Sequence, residues 1–336
     1  MSKGTSVHAI VNVLIITLVI ALTSSASGSN LKLSLATDGQ VYDVSEKVLI
    51  SGNLTLNEEP VSDALVALEI DNPKNETFVI RTLIIGSGGS APWPIEIQEL
   101  VPCDAYGNPK NSFPQGGYAG FKIKIKNNAA TSYNVISTIN LFYANEVPFD
   151  AFIFFEGQMD PGQVITNSFW PVPIPSDAFV GDAVAFANIY NKLPRDGGFA
   201  YSPEKSAAFS ITGHGSGASG SASMIVSLEG STGTFNLTVG LALTYIRLGN
   251  YTIYARTYYQ PYIAYHESTF QVRLLGDLFP DGKIDMKDIS IVAKAFGSTI
   301  GDLNWNPEAD LNPDGKIDMK DIAIVAKAFG TQVIDS

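Results

Sequence analysis

The feature that most constrains this chain is a repeat. DGKIDMKDISIVAKAFG, Asp281 to Gly297, returns as DGKIDMKDIAIVAKAFG, Asp314 to Gly330, with only Ser290 and Ala323 differing. A duplicated unit means two copies of one physical device, each able to cover a face of the other. Extended backwards, the second copy reads DLNPDGKIDMKD, Asp310 to Asp321, with oxygen-bearing side chains at loop positions 1, 3, 5, 9 and 12 and glycine at 6. That spacing suits a hard cation such as Ca2+, which takes about six to eight oxygens from a loop that turns sharply at its sixth residue. Asp310, Asn312, Asp314, Asp318 and Asp321 would supply side-chain oxygens and Lys316 its backbone carbonyl. In the first copy, DLFPDGKIDMKD, the equivalents are Asp277, Asp281, Asp285 and Asp288, with Lys283 as the carbonyl donor. Phe279 stands where Asn312 stands, so two calcium sites are expected, the first weaker. Residues 276 to 336 hold eleven Asp and Glu against six Lys, and carboxylates crowded in this way repel one another unless a cation sits among them.

After each loop comes an amphipathic stretch, Ile289, Val292 and Phe296 in one copy and Ile322, Val325 and Phe329 in the other, at helical spacing and stopped by Gly297 and Gly330. No helical pattern precedes either loop, and both loops end in Asp where the common EF-hand signature ends in Glu. The tail, residues 276–332, therefore resembles a type I dockerin, and more narrowly the dockerin-like tails of many secreted archaeal proteins. The resemblance implies two half-hands packed as a pseudo-symmetric pair. It also implies a docking role for loop positions 10 and 11, which here are Met286, Lys287, Met319 and Lys320 rather than small hydroxylated residues. The implied partner is a cohesin-like or other surface protein.

The N-terminus has a lysine, a largely apolar run from Ala9 to Leu22 and then small residues. This is a signal-peptide pattern over residues 1–28, the run being short for a bilayer span. An uncleaved anchor is the alternative. No second apolar segment of spanning length follows, so the mature chain is expected to lack a transmembrane domain and to be secreted or held at the cell surface. Cys103 is the only cysteine, which forbids an intrachain disulfide and leaves stability to the core and to metal. A formal charge of −12 argues against nucleic acid, whose binders present basic surfaces. Four sequons, at Asn53, Asn75, Asn236 and Asn250, are compatible with a glycosylated exterior.

The middle of the chain reads as β. Leu31, Leu33 and Leu35 alternate with Lys32 and Ser34, Val48 to Leu56 alternates likewise, and FKIKIK, Phe121 to Lys126, does so without a break. Two Gly/Ser-rich stretches, Gly86 to Pro92 and Gly213 to Ser223, punctuate the region. They leave outer pieces that each hold too few strands to fold alone. The expected architecture is therefore mainly β: two Ig-like β-sandwiches, one inserted in the other, plus a small α-helical dockerin-like domain of tandem calcium-loop-helix units. Residues 30–88 and 224–274 would form one discontinuous sandwich, which resembles macroglobulin-type Ig-like domains. Residues 93–213 would form the inserted one, which resembles adhesion-type repeats of archaeal surface proteins.

Candidate chemistry is thin. The histidines, His8, His214 and His266, make no HExxH, and neither GxSxG nor CxxC occurs. Asp150, Glu156, Asp160 and Glu204 are carboxylates of the kind glycoside hydrolysis needs, with nothing in the sequence to set two at catalytic separation. Tyr251, Tyr254, Tyr258, Tyr259, Tyr262 and Tyr265 would suit either a sheet face or a platform for a sugar. The expectation is a protein without catalytic residues, used for display, adhesion or assembly. The alternative is a carbohydrate-binding or polysaccharide-degrading component tethered to a cohesin-bearing scaffold.

Overall fold

The computed structural model describes residues 30–86, 93–213 and 232–333. The expected signal segment and most of both Gly/Ser-rich stretches lie outside these residues. The strands run Leu31–Thr37 (β1), Val41–Asp43 (β2), Lys47–Leu56 (β3), Glu59–Pro60 (β4), Asp63–Asp71 (β5) and Thr77–Gly86 (β6). Then come Ile95–Cys103 (β7), Ser112–Pro114 (β8), Tyr118–Asn127 (β9), Tyr133–Tyr143 (β10), Pro148–Met159 (β11), Val164–Pro173 (β12), Gly181–Tyr190 (β13) and Lys205–Thr212 (β14). Thr234–Gly240 (β15), Gly249–Tyr259 (β16) and Tyr262–Arg273 (β17) complete the β part, and helices Met286–Ala295 (α1) and Met319–Lys327 (α2) lie in the tail.

Four sheets result. One has the order β1-β3-β15 with β4 beside β3, and a second the order β2-β17-β16-β5-β6, so strands from both ends of the β region share sheets. Side chains of these two sheets meet in one core, where Ile50, Leu54 and Val66 lie with Phe235, Tyr251 and Phe270. The close approach of β15 to β3 requires glycine: a Cβ on Gly52 would stand 2.1 Å from Cζ of Phe235. The other two sheets, β12-β9-β7 and β11-β10-β13-β14-β8, draw only on strands between Ile95 and Thr212. They share a second core that includes Phe113, Phe121, Ile139 and Phe209.

A polar seam joins the two pairs of sheets. Strand β6 lies at a sheet edge, where unpaired backbone groups must find other partners. Asn140 Oδ1 accepts from the Ile80 N–H at 2.9 Å, and Asn188 Nδ2 donates to the Ile80 carbonyl at 3.2 Å. Beside them Arg81 donates to Glu204 through Nε at 2.8 Å and Nη2 at 2.5 Å. Its guanidinium carbon lies 3.4 Å from the centroid of the Phe186 ring. The Arg81 side chain is 1% exposed and that of Glu204 6%, so each charge depends on the other for solvation. Farther along, Arg195 reaches Asp71 at 3.1 Å, and its N–H donates to Glu69 at 2.9 Å. Burial pushes the Glu69 carboxyl up to about 7 despite that bond.

Removing Glu204 would leave a guanidinium buried without a partner. Glu204→Ala is expected to cost about 3–5 kcal/mol of stability in chemical denaturation; a loss under about 1 kcal/mol would mean that the seam is solvated or slack.

Candidate functional site

In the tail, each twelve-residue loop turns at its sixth position, where Gly282 and Gly315 take φ of +77° and +78°, values L side chains rarely adopt. The first aspartate gathers the turn. Asp277 accepts from the Gly282 N–H at 2.9 Å and the Asp281 N–H at 3.3 Å. Asp310 accepts from Gly315 at 3.0 Å and Asp314 at 3.2 Å. Burial raises the Asp277 carboxyl against these bonds, with Asp288 and Asp281 adding like-charge repulsion.

The ninth and twelfth positions open the helices. Asp285 and Asp318 are N-caps that accept from Lys287 and Lys320 N–H at 2.7 and 2.8 Å. Asp288 and Asp321 reach back to the cap N–H of Asp285 and Asp318, each at 2.8 Å. This is a capping box with Asp in both roles. The other oxygen of each twelfth-position carboxylate accepts from Phe279 or Leu311 N–H at 2.8 Å. The D-x-x-D spacing was a sequence signal for this second duty, and it accounts for Asp at the end of the loop.

The two units close each other. After the loop turn, the Ile284 N–H donates to the Thr331 carbonyl at 2.9 Å, and its own carbonyl accepts from Gly330 N–H at 2.8 Å. Reciprocally, the Ile317 N–H donates to the Ser298 carbonyl at 3.0 Å, and the Ile317 carbonyl accepts from the Gly297 N–H at 2.8 Å. Each loop is thus paired to the segment that leaves the other unit's helix. Ile284, Ile317, Val292, Val325 and Ala295 are buried, with Ile289 and Ile322 packed partly against them. Phe296 and Phe329 do not join them, being 45% and 50% exposed. Both fall past the last helical residue, where the 3.6-residue period no longer sets direction.

The position-5 aspartates take lysines as partners: Lys287 Nζ lies 2.7 Å from Asp281 and Lys320 Nζ 2.9 Å from Asp314. These bonds hold the Asp281 and Asp314 carboxyls below the usual carboxylate range, with the Asn312 amide assisting at Asp314. Met286 and Met319, first in each helix, are each 64% exposed. In the first loop, Phe279 sets its ring 4.6 Å from Lys287 Nζ. In the second, Asn312 donates to Asp314 at 3.0 Å while its Oδ1 is buried with no hydrogen-bond donor. A buried acceptor without a donor costs about 1–3 kcal/mol, and a hard cation is a partner that would remove the cost. Among the described residues no three acidic, imidazole or thiol side chains are drawn into one ligand shell. The carboxylates meet N–H groups and lysines instead, with lone pairs to spare. The donors of the second loop fit calcium, and those of the first fit it with one oxygen fewer.

Residues 275–330 match the dockerin type I domain. Domains of this family bind calcium. A search of curated proteins found no relative. Among solved structures, one match is an interface mutant of a type II cohesin–X-dockerin complex from Acetivibrio cellulolyticus, 26% identical over 31% of this chain and 73% of that one, with a TM-score of 0.18. The C-terminal domain of wzt is 14% identical over 36% of this chain and 75% of that chain, TM-score 0.31. A Bacteroides uniformis β-glucuronidase is 7% identical over 49% and 26%, TM-score 0.29. Among the described residues no helix is long and apolar enough to cross a membrane.

Outside the dockerin segment, two of the carboxylates singled out in the sequence have structural partners. Glu204 is held by Arg81, and Asp160 accepts from Ser132 in an exposed turn. The tyrosine-rich stretch forms the β16–β17 hairpin. Tyr251 is buried there, while Tyr258 and Tyr265 are 41% and 48% exposed. His266 lies on β17, where burial lowers its imidazole pKa.

Restoring the missing oxygen in the first loop tests the ligand assignment. In calorimetric titration of the full chain, Phe279→Asn is expected to raise calcium affinity about tenfold and Asn312→Ala to lower it comparably. Unchanged affinity in both variants would remove position 3 from the ligand set.

Proposed function

We propose that this is a modular protein of the cell exterior, without catalytic residues, whose dockerin segment docks it on a cohesin-type partner when calcium is bound. The observation that carries this reading is the dockerin match at 275–330 over two units closed on each other. Two ions are bound, the first loosely because Phe279 replaces an oxygen donor. Asp277, Asp281, Asp285 and Asp288 with the Lys283 carbonyl hold one. Asp310, Asn312, Asp314, Asp318 and Asp321 with the Lys316 carbonyl hold the other. Each ion neutralises its carboxylates and fixes the start of a helix. Met286 and Met319 then offer flexible, polarizable contacts to the partner, flanked by Lys287 and Lys320. The β modules serve display or adhesion, and the four exposed sequon asparagines, Asn53, Asn75, Asn236 and Asn250, suit an exterior setting.

The same proposal divides the β region into an Ig-like sandwich of residues 30–88 with 224–274 and an inserted one of residues 93–213. The sheets that pair β3 with β15 and β5 with β16 support this division.

Two outcomes follow. On an immobilised cohesin panel, the full chain is expected to bind with calcium and to elute with chelator. Met286→Asp combined with Met319→Asp should weaken capture by about tenfold or more while leaving calcium binding intact. Capture that persists in chelator, or that ignores both methionines, would contradict the docking reading. In limited proteolysis, cleavage at both Gly/Ser stretches should leave the flanking pieces associated; their separation as independently folded fragments would contradict the division.

A further inference from the structure

Strand β9 carries a row of cations on its outer face. Phe121, Ile123 and Ile125 are buried, so the alternate residues Tyr118, Lys122, Lys124 and Lys126 point away from the core. At about 3.3 Å per residue the row spans roughly 26 Å from Tyr118 to Lys126. Its place at position 120 is taken by glycine, and the Trp170 ring of β12 lies over it: a Cβ on Gly120 would stand 3.0 Å from Cε3 of Trp170. The centroids of the Trp170 and Tyr118 rings are 6.0 Å apart, with the planes tilted at 59°, and the two residues are 38% and 51% exposed. One end of the row is therefore aromatic and the rest is basic.

Neighbouring acids do not use up this row. Glu99 on β7 lies 3.5 Å from Lys122, and Glu96 accepts from Asn128 Nδ2 at 3.1 Å. Lys124 and Lys126 have no carboxylate within ion-pair distance among the described residues. On their other side stand Thr166 and Val164 of β12, a strand with no charged residue. With the flanking turns and the β7 edge counted, the acids are Glu96, Glu99, Asp104 and Asp160, and the bases are Lys110, Lys122, Lys124, Lys126 and Lys205. The face is thus net positive on a chain of formal charge −12. Such a row complements an anion. The exposed rings present negative π faces, which attract the polarised C–H groups on the flat side of a sugar. A sugar chain with a carboxylate on each ring meets both demands, whereas an acidic peptide brings the charge without the ring faces.

We propose that the outer face of β9 and β12 binds an acidic polysaccharide, its sugar rings against Trp170 and Tyr118 and its uronate carboxylates on Lys124 and Lys126. The choice of a glycan over a nucleic acid rests on the exterior setting proposed above. The face lies outside the dockerin segment, so its failure to bind would leave capture by cohesin untouched.

Calorimetric titration of the calcium-loaded full chain, freed of excess calcium, tests it. The probe is a β-1,4-linked glucuronate hexamer, and cellohexaose is its uncharged counterpart. Saturable binding of the uronate is expected, at least about tenfold tighter than that of cellohexaose and weakened by added salt. Lys124→Ala combined with Lys126→Ala should weaken it by about tenfold or more, and Tyr118→Ala by about threefold or more. Lys32→Ala, on β1 of the other pair of sheets, should leave it unchanged. Absence of uronate binding, equal binding of cellohexaose, or full affinity in either the double lysine variant or Tyr118→Ala would overturn the proposal. Hexaglutamate or hexathymidylate binding as tightly as the uronate would also overturn it, assigning the face to a peptide or a nucleic acid. All the substituted side chains are on the surface, and thermal melting checks that each variant is folded.

Discussion

The tail depends on a reciprocal backbone pairing. Ile284 is bonded to Gly330 and Thr331, and Ile317 to Gly297 and Ser298, so neither loop completes its own unit. Each needs the segment that follows the other helix. Two helices of ten and nine residues are shorter than the roughly 12–15 residues at which isolated helices become even marginal in water. They persist because Val292, Val325 and the two isoleucines share one buried contact. An aspartate at position 12 ties that contact to the loops, since it caps its helix and also bonds the residue at loop position 2 or 3. A cation at either loop therefore bears on both helices.

The β modules are joined on a different principle. Their seam is polar and its centre is buried: a forked Arg81–Glu204 pair under Phe186, and two asparagines that satisfy the edge strand β6 at Ile80. Side chains from the middle stretch thereby cover an edge that would otherwise invite another strand. Such pairs contribute specificity of arrangement more than net stability, because desolvating both charges offsets most of their attraction.

Much of the fold was legible wherever a period could be counted. Alternation marked β1, β3 and β9, and the repeat marked both loops and both helices. Strand β12 was not legible: almost every residue from Val164 to Pro173 is exposed or half-buried, so no alternation of apolar and polar residues was available to read. Phe296 and Phe329 misled because periodicity was carried one step past the helix ends. The Arg81–Glu204 and Arg195–Asp71 pairs join residues far apart in the chain, and nothing local to any one of them names its partner. At the loops, residue types and spacing were legible, and the D-x-x-D spacing carried a signal for the capping duty of Asp288 and Asp321, while the stranded Asn312 oxygen needed coordinates.

The most direct test of the account is hydrogen exchange at the amides of Ile284, Gly330, Ile317 and Gly297 in the full chain, with calcium and with chelator. If cation-held loops close each other, all four amides are protected in calcium and lose protection together when it is removed. Protection that survives chelation, or that disappears from one pair while the other keeps it, would contradict a single structure locked by its metal.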